Sequence, residues 1–328
     1  MRRVRAHRLG GTAKVRMAGA KPILVIGSLN MDLVARCDRL PGLGQTVFGT
    51  DFFMAAGGKG ANQAVAAARL GAQVAMAGCV GDDQFGRDLV DGLRRDRVAS
   101  DGMRTVAAPT GSALITIDVR GGNTIVVVAG ANAACDAALV DHALADRTEP
   151  GILLLQHEVP EAANAHAIHQ ARAGGWFIVL NPAPARPVAP SLLPLIDIIV
   201  PNETEAAELT GSGEPREAMR CLLTRGARGV LITLGGKGAL YCGGEAMLRC
   251  PAVSVPAVDT TAAGDAYIGA LAAALAEGRS VADGLGFAAA AAALSVTRLG
   301  AQPSLGTRDE VMDFIARHGA PVPAALTA

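Results

Sequence analysis

In the stretch Asp259-Thr260-Thr261-Ala262-Ala263-Gly264-Asp265 the residue types are arranged to do chemistry. It joins an apolar, strand-like run, Ala252 to Val258, to an alanine-rich helical run, Ala266 to Ala276. Ala262, Ala263 and Gly264 are small enough for the backbone to turn tightly and approach a ligand. At a helix start their N–H groups have no intrahelical partner. Free N–H groups and the helix dipole both favour negative charge, so such a place holds an anion. Asp265, in the first turn, would repel that anion unless it has another task, and taking a proton from an attacking hydroxyl is one. The same stretch also reads as a capped helix start, with Asp265 stabilising the dipole.

Other polar residues follow apolar runs in the same way. Ser28-Leu29-Asn30-Met31-Asp32 follows Pro22 to Ile26, and Asn30 and Asp32 share one face of an extended segment. Together they can bind vicinal hydroxyls, or they can simply bond the local backbone in a turn. Gly57-Gly58-Lys59-Gly60-Ala61-Asn62-Gln63 opens a helix rich in small residues, with Lys59 and Asn62 on one side of its first turn. It is neither the P-loop pattern nor the dinucleotide fingerprint, which argues against a Walker-type ATPase and a nicotinamide enzyme. Gln156-His157-Glu158, Asn181-Pro182-Ala183-Pro184, Asn202-Glu203-Thr204-Glu205 and Gly235-Gly236-Lys237-Gly238 each end a further apolar run.

Such residues meet only if the strands before them are parallel, because ligands then gather at one carboxyl edge of the sheet. The pattern predicts this. Strand-like runs at Val74–Ala77, Ile152–Leu155, Phe177–Leu180, Ile196–Val200 and Val230–Leu234 alternate with helical patterns such as Phe85–Arg95, Glu161–Ala173 and Glu214–Arg225. From Ala263 onward the chain reads as mostly helix. Segments 33–55 and 110–128 do not alternate with helices and read as a small antiparallel sheet beside the α/β body.

The chain has 328 residues, half of them hydrophobic, with zero formal net charge, which points to neither nucleic acid nor an acidic membrane as a partner. No apolar run reaches the roughly 18 residues of a membrane span. None of the six cysteines forms a C-x-x-C pair, so they read as buried thiols of a reducing compartment, and the expected location is the cytoplasm. His166 and His169 read as surface histidines rather than metal ligands. Residues 1–20, basic and without apolar periodicity, read as a disordered tail, and 21–328 as one domain.

Several of these segments together resemble the ribokinase (PfkB) family of carbohydrate kinases. Gly57–Ala64 resembles its first signature and Asp259–Asp265 its second. Asn181–Ala185, Pro201–Glu205 and Val296–Ser304 match in order and spacing, so the resemblance runs from about Pro22 to about Arg317. It implies a three-layer α/β sandwich with a mainly parallel central sheet, a β-sheet lid, and a homodimer formed through that lid. It implies ATP-dependent phosphorylation of the primary hydroxyl of D-ribose, giving ribose 5-phosphate. Deoxyribose, a ketose or a nucleoside are the alternative acceptors, and a silent sugar-binding regulator is the alternative from another class.

The resemblance also assigns roles. Asp265 is the base and Ala262, Ala263 and Gly264 form the anion hole. Asn30, Asp32, Gly58, Lys59, Asn62 and Glu158 bind the sugar. Asn202, Thr233, Leu234, Gly235, Gly236, Lys237, Gly238 and Gly264 bind ATP. Glu205 organises Mg2+ through water, and Asp259, Thr261, Ser295, Arg298, Gly300 and Ser304 surround K+. The chain departs from the family pattern at Ala262 (often Gly), at Tyr267 (usually Phe), and at Ala288–Ala293, where relatives often place a polar residue near the adenine.

Overall fold

The computed structural model describes residues 20–145, 147, 149–244 and 247–326, so the basic stretch before residue 20 lies outside the described residues. In chain order the elements are β1 (Ile23–Ile26), β2 (Asn30–Cys37), β3 (Gly49–Gly57), α1 (Lys59–Arg69), β4 (Val74–Gly81), α2 (Gln84–Arg95), β5 (Ala99–Val106), β6 (Ser112–Asp118) and β7 (Asn123–Val128). They continue with α3 (Ala137–Ala145), β8 (Ile152–Gln156), α4 (Glu161–Ala173), β9 (Phe177–Asn181), β10 (Ile198–Ile199), α5 (Glu203–Thr210), α6 (Pro215–Thr224) and β11 (Val230–Thr233). The last are β12 (Ala239–Cys242), β13 (Met247–Cys250), α7 (Ala263–Ala276), α8 (Val281–Ser295), α9 (Arg308–His318) and β14 (Ala324–Ala325).

Ten strands form the main sheet in the order β14-β13-β12-β11-β10-β9-β8-β1-β4-β5. The seven from β11 to β5 are parallel, and β12, β13 and β14 add antiparallel strands at one edge. All four residues of β1 are buried, as a strand covered on both faces requires. Alternation along it divides the core in two. Ile23 and Val25 pack with α1, α7 and α8, whereas Leu24 and Ile26 pack with α3, α4 and α6. The alanines of the first set let helices approach closely: a Cβ added to Gly269 of α7 would lie 2.5 Å from that of Ala66 in α1.

The expected α/β body is present, with two differences. Ala252–Val258 is not a strand. Pro251 and Pro256 bring no N–H to a ladder, and β13 already pairs β12 on one side and β14 on the other. The small sheet, in the order β3-β2-β6-β7, is mixed rather than wholly antiparallel: β2–β3 and β6–β7 are antiparallel and β2–β6 is parallel. β2 also starts earlier than expected, at Asn30, so the lid grows directly out of the sheet's carboxyl edge.

The lid register sorts its side chains. Asp32, Ala113 and Val127 form one cross-strand row, and Val34, Ile115 and Ile125 the next row on the same face. On the other face Met54, Leu33, Leu114 and Val126 form a row, of which Met54, Leu114 and Val126 are exposed.

Candidate active site

Three adjoining cavities lie along the carboxyl edge of the main sheet. The first, about 590 Å³, is lined by Asn30, Asp32, Gly58, Lys59, Asn62, Glu158 and Asp265, so the six residues expected to bind the sugar meet there with the expected base. Ile115, Ile125 and Val127 of the lid cover it. The second, about 190 Å³, lies between Lys59, Asn202, Glu205, Gly264 and Asp265. The third, about 450 Å³, has Asn202, Thr233, Gly235, Gly236, Gly238 and Gly264 at one end. Its other wall is apolar: Val253, Val255, Ala289, Ala292, Ala293 and Val296. Lys59, Ala262 and Asp265 line both the first and second cavities, and Asn202, Thr233 and Gly264 both the second and third, so the three form one trough.

In the first cavity, positioning begins with Gly58, the residue before α1. Its φ of 87° favours glycine, and a Cβ there would meet Asn30 N at 2.7 Å. The head of α1 is thereby pressed against the start of β2. Glu158 Oε2 accepts from Lys59 N at 2.9 Å and from Ser28 Oγ at 2.5 Å. Asn30 Oδ1 accepts from Asn132 Nδ2 at 2.8 Å. Asp32 is buried with Glu158 and Asp265 nearby; burial first, then these two charges, push its carboxyl up to about 7.

Asp265 is buried in the first turn of α7. Its Oδ2 accepts from Asn62 Nδ2 at 3.0 Å and its Oδ1 from Gln63 Nε2 at 3.0 Å. Burial raises its pKa above the ordinary carboxylate value and outweighs the opposing pull of Lys59, Asn62 and Gln63. Burial acts to lower the pKa of Lys59, but the carboxylates of Asp265, Glu158 and Glu205 prevail and raise it. The site thus holds a secure ammonium beside a carboxylate whose basicity is increased, a pair suited to removing a hydroxyl proton next to an anion.

Ala262 stands before α7 with φ 59°, a conformation that costs a non-glycine residue roughly 1–2 kcal/mol. Of the anion-hole residues, Ala263 differs from expectation: its N–H already donates to Thr260 O at 3.2 Å. The N–H groups of Gly264 and Asp265 have no protein partner among the described residues. A Cβ on Gly264 would meet nothing within 4 Å, so the protein itself does not require glycine there and the space belongs to the trough.

Asn202 and Glu205 form a capping box at the head of α5: Asn202 Oδ1 accepts from Glu205 N, and Glu205 Oε2 from Asn202 N, each at 2.8 Å. Glu205 Oε1 has no hydrogen bond among the described residues, and the carboxylate lines the phosphate-sized cavity, which suits an oxygen-seeking cation. Leu234 and Lys237 are not brought to the trough. Leu234 is buried, and Lys237 pairs with Glu203 at 3.3 Å.

The two segments expected around K+ do meet. Val258 N and Asp259 N donate to Val296 O, and Gly300 N donates to Asp259 Oδ2 at 2.9 Å. Asp259 Oδ1 accepts from the N–H and hydroxyl of Thr261. Burial opposes ionisation of Asp259, and these bonds outweigh it, holding its pKa below the usual range. Ser295 and Ser304 are buried beneath the turn, while the Arg298 side chain turns away to Glu310 at 2.7 Å. No group of three His, Cys, Asp or Glu side chains is placed to hold a metal ion among the described residues, so a cation here would rest on one carboxylate and backbone carbonyls.

Sequence reasoning missed Gln63, Asn132 and Ser28 as parts of the site. It noted Gln156 only as a polar strand end, and Asn181 as a strand end and part of a matching segment, without a role in the site. Their signal is a polar residue inside a small-residue helix or loop, where nothing local explains it.

Residues 20–308 match the model of the pfkB family carbohydrate kinases. The chain is 41% identical over 294 residues to the ribokinase of Bacillus subtilis, covering 89% of this chain and 99% of that protein. Its fold is similar to that of Thermotoga maritima ribokinase, with a TM-score of 0.83 and 34% identity over 90% of this chain and 99% of that one. It is also similar to Arabidopsis thaliana ribokinase, solved in complex with ribose and ATP, with a TM-score of 0.81 and 34% identity over the same shares.

Proposed function

The chain belongs to the pfkB family of carbohydrate kinases, and we propose that it transfers the γ-phosphoryl group of ATP to the primary hydroxyl of D-ribose. One observation carries this reading. Lys59 and Asp265 line both a hydroxyl-binding cavity and a phosphate-sized one, so an acceptor and a phosphoryl donor meet across them. Phosphoryl transfer asks for positioning and charge neutralisation more than covalent chemistry.

In this reading Asn30, Asp32, Asn62 and Glu158 take the sugar hydroxyls, with Gly58 setting the floor. The Asp265 carboxylate takes the proton of the primary hydroxyl as its oxygen attacks. The N–H groups of Gly264 and Asp265 receive the charge gathering on the phosphoryl oxygens, where preorganised donors are most effective. Asn202, Thr233 and the glycines at 235, 236 and 238 line the nucleotide's path, and the apolar wall takes its base. Glu205 would hold Mg2+ through water, and Mg2+ would neutralise phosphate charge. Asp259 and Thr261, with the carbonyls of the 295–304 turn, would hold K+ and stiffen the anion-binding loop. Residues 21–328 act as one catalytic unit. The exposed row Met54, Leu114 and Val126 on the outer lid face suits a second copy of the chain, giving a homodimer.

Coupled measurement of ADP release across ribose, deoxyribose, a ketohexose and a nucleoside tests the substrate. Ribose should give the highest kcat/KM, and preference for a nucleoside would overturn the reading. Asp265→Asn should lower kcat by about 10²–10⁴-fold while calorimetry still registers sugar and ATP binding. Near-normal turnover would remove Asp265 from its role.

A further inference from the structure

Gln63 lines none of the three cavities, yet it is fully buried in α1 at the meeting point of three polar side chains. Its Nε2 donates to Asp265 Oδ1 at 3.0 Å and to Asn181 Oδ1 at 3.2 Å. Its Oε1 accepts from Gln156 Nε2 at 2.8 Å. Asn181 in turn donates to Val200 O at 2.8 Å. The chain of amides has one consistent direction. Rotating the Gln63 amide by half a turn would set its oxygen against the Asp265 carboxylate and its nitrogen against the Gln156 amide nitrogen. Gln156 therefore fixes which end of Gln63 faces Asp265. Gln156 gives something up for this, since its own Oε1 is buried without a partner.

Neutral amides add no titrating group and no proton acceptor that could compete with Asp265. Toward Asp265 they turn only donors, which favour the charged form of a carboxylate and fix its plane. Asn62 does the same for the other oxygen, but it also faces the sugar cavity, whereas Gln63 does not. We propose that Gln63 is a positioning residue, aimed by Gln156 and Asn181, that holds the Asp265 carboxylate oriented and ionised to take the proton of the acceptor hydroxyl. This rests on the kinase reading above.

The charged groups facing Asp265 are Lys59 from α1, Asp32 from β2, Glu158 after β8 and Glu205 from α5. All remain in a Gln63 variant, so a change in its pH profile reports Gln63. The test measures kcat/KM for ribose against pH in the wild type, Gln63→Met and Gln63→Glu. Ribose and ATP binding and thermal unfolding are measured alongside. Turnover of ribose by the wild type comes first, and its absence would fail the kinase reading rather than this one. Gln63→Met should move the acid limb to higher pH, lowering kcat/KM on the order of tenfold on that limb and recovering at high pH, with both affinities nearly unchanged. Gln63→Glu keeps the shape and the Gln156 contact but sets a second carboxyl against Asp265, so it should move the limb further. If Gln63→Met does not fold, Gln63→Glu decides alone. An unmoved limb, or a loss equal at every pH, would overturn the proposal.

Discussion

Asp32 is a buried carboxyl that faces two others, Glu158 and Asp265. Its pKa rises from the ordinary 3.8 to about 7, so between those values the folded protein retains a proton that the unfolded chain has released. Stability therefore falls as pH rises through that window. Asp32→Asn removes the conflict. The unliganded variant should melt a few degrees above the wild type at pH 8, with the gain shrinking as pH is lowered to 5. The same change should raise the KM for ribose roughly tenfold, because a charge-assisted acceptor is lost, with little effect on the KM for ATP. Thermal melts and initial rates decide both, and a variant less stable than wild type at pH 8 would refute the account. Asp32 and Asp265 were legible in the sequence because a carboxylate beside a turn or a glycine asks for a reason. Gln63 was not, because its partners Gln156 and Asn181 lie 93 and 118 residues away, and only the sheet order brings them together.

Among the elements, α7 sets chemistry against helix stability. Gly264 lies in its first turn with open space where a side chain would go. Gly264→Ala should leave the fold intact and stabilise the helix by up to about 1 kcal/mol. The methyl would occupy the anion's place, so kcat/KM for ATP should fall by an order of magnitude or more. Higher thermal stability together with lower activity is the expected signature, and full activity would show that the anion binds elsewhere. The loop before α7 makes a second prediction. If a weakly hydrated cation joins Asp259 to the 295–304 turn, KCl should raise kcat/KM well above NaCl at equal ionic strength, and equal rates would reject that site. Regular βαβ alternation made the parallel sheet readable. The Ala252–Val258 run misled because its apolar residues wall the third cavity, and burial against a cavity looks the same in a sequence as burial in a sheet. The parallel pairing of β2 with β6 was equally hidden, since 74 residues separate their ends and no local turn specifies it.

At the scale of the molecule, the lid carries apolar rows on both faces. One covers the site, and on the outer one Met54, Leu114 and Val126 are exposed. Light scattering should find a dimer at micromolar concentration, and Val126→Asp, which sets charges opposite each other across such an interface, should halve the mass; a wild-type monomer would leave the outer face unexplained. No helix among the described residues is long and apolar enough to cross a membrane, so a bilayer-spanning helix does not account for that face. One feature of the same sheet reaches beyond catalysis. β7 is an edge strand, exposed at every residue, and it reads Asn-Thr-Ile-Val-Val-Val without charge or proline. A free row of backbone donors and acceptors on such a segment is a template for strands of other molecules. If that sheet serves assembly, it is also where storage would first fail: a dissociated preparation would cloud by edge-to-edge stacking while its main sheet was still folded.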